Sequence, residues 1–217
     1  MRTTSKAILA GASILFLTLA AAAQEFPRAE VAIDYSFARY APSAAYTKGH
    51  SLNGGGGALV YNLNQYLGLK MDLQGYGSNT TSFVIPPNNI FPEGASGRVH
   101  GNLFTYMFGP QIKVRAHNFQ PFGHLLLGGG HSNVYGNAFK QLCQPLPGAC
   151  DFSKAPSANA FAMAVGVGVD IQINRTISFR PGEVDYLLTV FSNPFTNGNQ
   201  NNFRYTAGIN FTFGGTK

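Results

Sequence analysis

The chain has 217 residues, of which only 11% are charged, with 26 glycines, 28 Phe and Tyr together, and no Trp. Its 15 Lys and Arg against nine Asp and Glu are scattered without a basic cluster, so it carries no electrostatic footprint for nucleic acid. Beyond the first two dozen residues no apolar run approaches the roughly 20 residues a membrane-spanning helix needs, which excludes a helical membrane protein.

The first residues read as an export signal. Arg2 and Lys6 supply positive charge, 7–19 is an apolar run, and Ala21, Ala22 and Ala23 offer small residues before a cut ahead of Gln24. This predicts a secretory signal peptide over 1–23 and one domain over 24–217. Without Arg2 and Lys6 the mature chain sets 13 bases against nine acids, a net charge of +4. No Cys follows the apolar run, which argues against a lipid anchor. Both cysteines, Cys143 and Cys150, fall in one polar segment. An exported chain meets an oxidising compartment, so a local Cys143–Cys150 disulfide is expected. A metal site would need further ligands at suitable spacing.

The mature chain is then a succession of period-two segments. The first predicted strand covers 29–40, with Val31, Ile33, Tyr35 and Phe37 alternating with Ala32, Asp34, Ser36 and Ala38. A polar stretch with Pro42 and Gly49 follows. The second covers 51–63, with Gly55, Gly57, Leu59, Tyr61 and Leu63 in one row. Its four glycines, 54–57, lack the Lys of a phosphate loop and instead suit close backbone approach within a strand. A tight turn at 62–65 leads to a third strand over 66–76, where Leu67, Leu69, Met71 and Leu73 face away from Lys70, Asp72 and Gln74. Residues 77–97 are polar and rich in Asn, Ser and Pro, and read as a long loop.

The fourth strand, 100–114, places Phe104, Tyr106, Phe108 and Ile112 on one face, with Pro110 suggesting a bulge. After a short turn at 115–118 comes a fifth strand over 120–131, whose two rows are both apolar: Leu125 and Leu127 compete with Phe122 and Leu126. A long loop, 132–157, holds the cysteines. The sixth strand alternates Phe161, Met163, Val165, Val167, Val169, Ile171 and Ile173 with Ala, Gly, Asp170 and Gln172. Asn174 and Arg175 form a turn. The seventh starts with Ile177 and Phe179 outward and ends with Val184, Tyr186, Leu188 and Val190 outward; the parity flips at Pro181 and Gly182, as one inserted residue at a β-bulge would do. An Asn-rich loop is expected over 192–202. In the last strand, 203–213, Phe203, Tyr205, Ala207, Ile209, Phe211 and Phe213 form one row, while Arg204, Thr206, Gly208, Asn210 and Thr212 form the other.

Eight strands joined alternately by long and short connections, each long enough to cross a bilayer when tilted, predict an all-β fold: an eight-stranded antiparallel up-and-down transmembrane β-barrel. Only closure satisfies every backbone group of such a sheet in lipid. A soluble lipocalin-type barrel would have to pack the Phe and Tyr rows inside and cover itself with Gly and Ala, a poor match to these rows. The chain resembles the OmpA-like and OmpX-like small barrels of the outer membrane protein β-barrel family, on this strand pattern and above all on its final strand. The resemblance implies residence in the bacterial outer membrane in contact with its lipid. It also implies an assembly signal at Thr206, Gly208, Phe211 and Phe213 that the barrel-assembly machinery reads. Gly214 to Lys217 follow the last Phe, where the family usually ends on an aromatic. The peptidoglycan-binding domain that OmpA carries after its barrel is not expected here.

With the apolar rows facing lipid, Asp34, Lys70, Asp72, Asp170, Arg180, Glu183, Asp185 and Arg204 point into the lumen. Isolated buried charges cost several kcal/mol, and eight strands leave room only for side chains, so these eight are expected to form a paired network that fills the barrel. The sharper alternative is an ion path through it. Of the five histidines, His50, His100 and His131 fall near the predicted outer rim, and His117 and His124 lie elsewhere; none has metal-ligand spacing. His131 and Ser132 are the one adjacent imidazole–hydroxyl pair, without a carboxylate nearby to orient it. Asn79, Thr80 and Thr81 match a glycosylation triplet of little weight in a bacterial protein. The expectation is therefore a barrel with a structural or surface-interaction role, its long loops reaching an extracellular ligand or surface. It is expected to have no enzymatic activity, cofactor or nucleic-acid partner. A narrow pore for small solutes is the alternative, and a lipid-modifying enzyme comes third.

Overall fold

Period-two patterning produces strands with one face for lipid and one for the interior, and the computed structural model shows how they close. It describes residues 26–40, 50–85, 87, 92–132, 158–193 and 196–214. The predicted signal peptide 1–23 and the Cys143–Cys150 pair lie outside the described residues. The strands are β1 (Ala29–Tyr40), β2 (His50–Asn62), β3 (Leu67–Ile85), β4 (Ala95–Lys113), β5 (Phe119–Ser132), β6 (Ala158–Gln172), β7 (Ile177–Asn193) and β8 (Thr196–Phe213). Each pairs antiparallel with the next, and β8 returns to β1 from Ala29↔Phe213 to Arg39↔Phe203, giving a closed barrel in chain order.

The barrel is apolar outside and polar inside. Ile33, Phe108, Val167 and Ile173 are exposed on the outer wall, while Arg180, Arg204, Lys70 and Lys113 head the largest fully buried side chains. That is the reverse of a soluble barrel and the arrangement lipid requires. Tyr35 and Tyr186 mark where the outer face turns polar, donating to Asn53 Oδ1 at 2.7 Å and Asn201 Oδ1 at 2.6 Å.

Three short connections share one end of the barrel with the start of β1 and the end of β8. Two are built alike. Asn64 Oδ1 accepts the backbone N–H groups of Tyr66 and Leu67, both at 2.8 Å. Asn174 Oδ1 accepts those of Thr176 and Ile177 at 2.9 and 2.8 Å. These Asn side chains stand in for a backbone turn acceptor. In the third, between β4 and β5, His117 adopts a left-handed φ of 45°.

The seventh strand shifts register between Arg180 and Glu183, where the parity of its sequence flips. Three sequence expectations need correction. Residues 77–97 are not mainly loop: β3 and β4 continue as a paired ribbon from Asn79↔Gly101 to Ile85↔Ala95, after a register shift between Tyr76 and Asn79. Residues 192–202 are likewise mostly strand, with pairing up to Asn193↔Thr196. Both arms extend beyond the bilayer-facing band, so neither face needs apolar residues and no alternation marks them. Pro110 makes no bulge. It pairs with Leu69, and the β4–β5 register is the same on either side of it, at Phe108↔Leu127 and Gln111↔His124. Proline removes a ladder donor there without adding a residue.

Fold also resolves the fifth strand. Leu125 and Leu127 are exposed, while Phe122, His124 and Leu126 are buried inside. In the glycine run of β2, a Cβ at Gly56 would meet the Leu73 carbonyl oxygen at 2.0 Å and the Gln74 side chain at 2.7 Å, so the missing side chain lets the β3 backbone and an inward-facing neighbour come close.

Candidate functional site: the barrel lumen

The inward rows carry charge from six of the eight strands, and closure brings it to one place. At the short-turn end, Glu30 (β1) is held by Lys113 (β4), by Arg115 Nη2 at 2.7 Å and by the amides of Asn62 and Asn210, both at 2.9 Å. Lys113 also reaches Asp170 (β6) at 2.7 Å. Asp170 in turn accepts a two-pronged contact from Arg180 (β7), Nε to Oδ1 at 2.7 Å and Nη2 to Oδ2 at 3.1 Å. Arg180 Nη1 continues to Glu183 Oε2 at 2.7 Å, and Glu183 Oε1 takes Lys70 Nζ (β3) at 2.7 Å.

Higher in the barrel Arg204 (β8) joins Asp185 and Asp72, Nε to Oδ2 at 2.6 Å and Nη1 to Oδ1 at 2.7 Å. His124 Nε2 lies 2.8 Å from Asp185 Oδ1 and 3.9 Å from Glu183 Oε1. Asp34 accepts from Gln74 Nε2 at 2.7 Å. The ring of Phe122 sits among the cations, with the Arg180 guanidinium 4.4 Å from its centre and the Lys70 and Lys113 ammonium groups each at 5.5 Å. A ring face in a desolvated site attracts cations by its quadrupole. Glycines paired with them on the adjacent strand leave space for these groups: a Cβ at Gly166 would collide with Asp185 Oδ1, and one at Gly208 would come within 2.7 Å of Asp34 Cα.

All eight residues singled out for the lumen are therefore buried there, seven of them in direct ion pairs and Asp34 in an amide hydrogen bond. The structure adds Glu30, Lys113, Arg115 and His124. Glu30 and Lys113 share the inward parity of their strands but stand beside turns, where alternation runs out. His124 was hidden by the two apolar rows of the fifth strand.

Above the charges the lumen changes character. Met107, Leu126, Ala162, Ala164 and Leu187 form one buried apolar cluster, and Ala38, Leu52, Tyr76, Leu103 and Ala160 form a second. At the short-turn end Phe26 is buried, and Asn62 ties down the adjoining segment by donating to Pro27 O at 2.7 Å.

His124, Glu183 and Asp185 place ligand atoms within 4.8 Å of one another. Their carboxylate oxygens already hold Lys70, Arg180 and Arg204, so a metal ion would sit among three fixed positive charges at close range. The arrangement suits an ion-pair network better than a metal centre. Ser132 is buried inside the wall and His131 is exposed outside it, bonded through Nδ1 to Asn159 Oδ1 at 2.8 Å. Neighbours on a strand face opposite ways, so these two cannot act as a nucleophile–base pair. His117 is exposed at its turn; the side chains of His50 and His100 lie outside the described residues. In the final strand Thr206 is buried, 3.5 Å from Ser36 Oγ, Gly208 passes Asp34, and Phe211 and Phe213 belong to the outward row opposite Val31 and Ala29.

A closed eight-stranded barrel, apolar without and charged within, is the architecture of a small outer-membrane protein. The chain belongs to the outer membrane protein β-barrel domain family, which it matches over residues 7–211, and it resides in the bacterial outer membrane. Solved structures show the same fold at low identity. Neisserial surface protein A (NspA) is 12% identical with a TM-score of 0.55, over 85% of this chain and 97% of that one. Ail, the attachment invasion locus protein of Yersinia pestis, is 12% identical with a TM-score of 0.50, over 87% and 99%. OprG from Pseudomonas aeruginosa is 14% identical with a TM-score of 0.50, over 88% and 98%. No curated protein matches the sequence.

Proposed function

We propose that this barrel is sealed, that its charged network is structural, and that its role is carried by the surface it raises above the membrane rather than by transport or catalysis. The observation that carries this reading is the continuous set of buried ion pairs from Glu30 to Asp72, overlaid by two apolar clusters. A solute would have to break the first and dehydrate past the second.

The surface role is supported by the β3–β4 ribbon. Seven residue pairs carry it about 20 Å past the barrel at some 3.3 Å per residue. From 79 to 85 and from 95 to 101 the two strands of this ribbon pair only with each other among the described residues, and the outer edges of such a ribbon can accept another strand. Short turns of outer-membrane barrels face the periplasm, which would place both termini there and the ribbon outside. We also assign Thr206, Gly208, Phe211 and Phe213 as the signal for the assembly machinery. Replacing Phe211 and Phe213 by Ala should lower membrane-inserted protein while export continues; unchanged insertion would leave them as lipid-facing bulk alone.

Planar-bilayer recording tests the sealed lumen. The purified barrel should show no steady single-channel current, and regular openings would overturn the proposal. A narrow pore is favoured by one specific observation: Gln74 Oε1, Thr105 Oγ1, Gln111 Oε1, His124 Nδ1 and Arg204 Nη2 are buried without a hydrogen-bond partner in the protein. Water satisfies such groups, and a continuous file of it would conduct. In that case Arg204→Met should change ion selectivity while leaving stability near wild type.

A further inference from the structure

The lipid-facing wall is not uniformly ridged. Near the short-turn end a groove of about 640 Å³ runs over β5 between β4 and β6 and reaches the β7 bulge. Ile112, Val114, Val167 and Val169 form its sides. Gly123 and Gly182 leave its floor bare. It arises because the outward row of β5 falls to Pro121 and Gly123 between Phe119 and Leu125, and because the bulge puts Gly182 on the neighbouring wall.

The turns that follow the groove at the short-turn end carry one exposed arginine, Arg175, and one exposed histidine, His117. Among the described residues Glu30, Asp34, Asp72, Asp170, Glu183 and Asp185 are buried in the lumen, and Glu93 belongs to the opposite end. No described carboxylate therefore offsets the Arg175 guanidinium at this end.

We propose that this groove holds a phospholipid of the adjacent leaflet, one acyl chain against the Gly123 floor and the phosphate against Arg175 and His117. An acyl chain gains nothing from leaving water here, because lipid is already apolar. What it gains is close contact along a concave wall, at about 0.1–0.2 kcal/mol per carbon pair, together with phosphate–cation attraction at the headgroup level. A second copy of the chain fits less well, since two-fold pairing through this face would bring one Arg175 toward another.

Native mass spectrometry of the folded protein tests this. The probes are dioleoylphosphatidylglycerol, dioleoylphosphatidylethanolamine and dioleoylglycerol, which has the same chains and no phosphate. One phospholipid should be retained in preference to the diacylglycerol. Gly123→Phe should reduce that retention about tenfold, the loss expected from on the order of ten carbon contacts. The variant can fold, because the nearest atom to a Cβ at Gly123 is 3.6 Å away; Val167→Phe narrows the groove from the other wall should it not. Arg175→Gln with His117→Gln should abolish the preference for phosphate while leaving chain retention. The proposal is overturned by phospholipid retention that both groove-filling variants leave intact, by equal retention of the diacylglycerol, or by a lipid-free dimer that Gly123→Phe dissolves.

Discussion

The two halves of the lumen solve the same problem by opposite means. Both must fill a narrow tube, and both are buried from solvent. The half nearer the short turns uses Glu30, Lys70, Lys113, Asp170, Arg180 and Glu183, each held by partners from other strands. The other half uses mainly Met107, Leu126, Leu187 and small alanines, which pack by shape, with neutral hydrogen bonds such as Ser36–Tyr76 and Asn202–Thr189 among them. The difference teaches where strand-to-strand specificity resides. Apolar side chains tolerate small changes of register, whereas a guanidinium shared between Asp170 and Glu183 is satisfied in one alignment of β6 and β7. We read the ionic half as the part that fixes register at the bulge and the apolar half as the seal.

The sharpest way to break this comparison is Arg180→Met. It leaves Asp170 and Glu183 short of a partner and should cost about 3–5 kcal/mol, read by urea unfolding in vesicles with circular dichroism, since the chain has no Trp to report. Adding Asp170→Leu to it should recover part of that loss, because replacing a whole buried pair by apolar groups is often nearly neutral. A stable single variant with new current would return the lumen to the pore reading.

Leu187→Ala probes the other half. It should cost about 2–3 kcal/mol as a cavity in an apolar cluster. The loss should be indifferent to ionic strength, and planar-bilayer recording should show whether the seal has been breached. Phe122→Leu keeps apolar volume and removes the ring face from three cations. A destabilisation of about 1 kcal/mol is expected, and none at all would reduce the ring to a spacer. The smallest effect belongs to His124→Gln, which retains an amide donor near Asp185. It should change stability by no more than about 1 kcal/mol; a much larger loss would show that the imidazole carries charge the network depends on.

Strict alternation made strands legible wherever one face meets lipid and the other the lumen, as in Phe161 to Ile173 and Phe203 to Phe213. The parity flip at Pro181 and Gly182 was legible for the same reason, since an inserted residue changes which row is apolar. The ribbon over 79–85 and 95–101 was not, because outside the bilayer no face need be apolar and Asn, Ser and Thr can occupy both. His124 was unreadable because the fifth strand has Phe122 and Leu126 inside, which blurs its rows.

Periodicity, turn chemistry and the polar rows by themselves determined that this chain is a transmembrane barrel of eight strands with Asp34, Lys70, Asp72, Asp170, Arg180, Glu183, Asp185 and Arg204 facing inward. Each of these follows from neighbours in sequence. Which carboxylate meets which cation, how Glu30, Lys113 and His124 join them, where apolar clusters close the tube and where the outer wall opens into a groove were decided by the tertiary structure alone. Those contacts join residues up to 180 positions apart, as between Asn210 and Glu30, and only the closure of β8 on β1 and the accumulated register of the whole barrel bring such residues to one level.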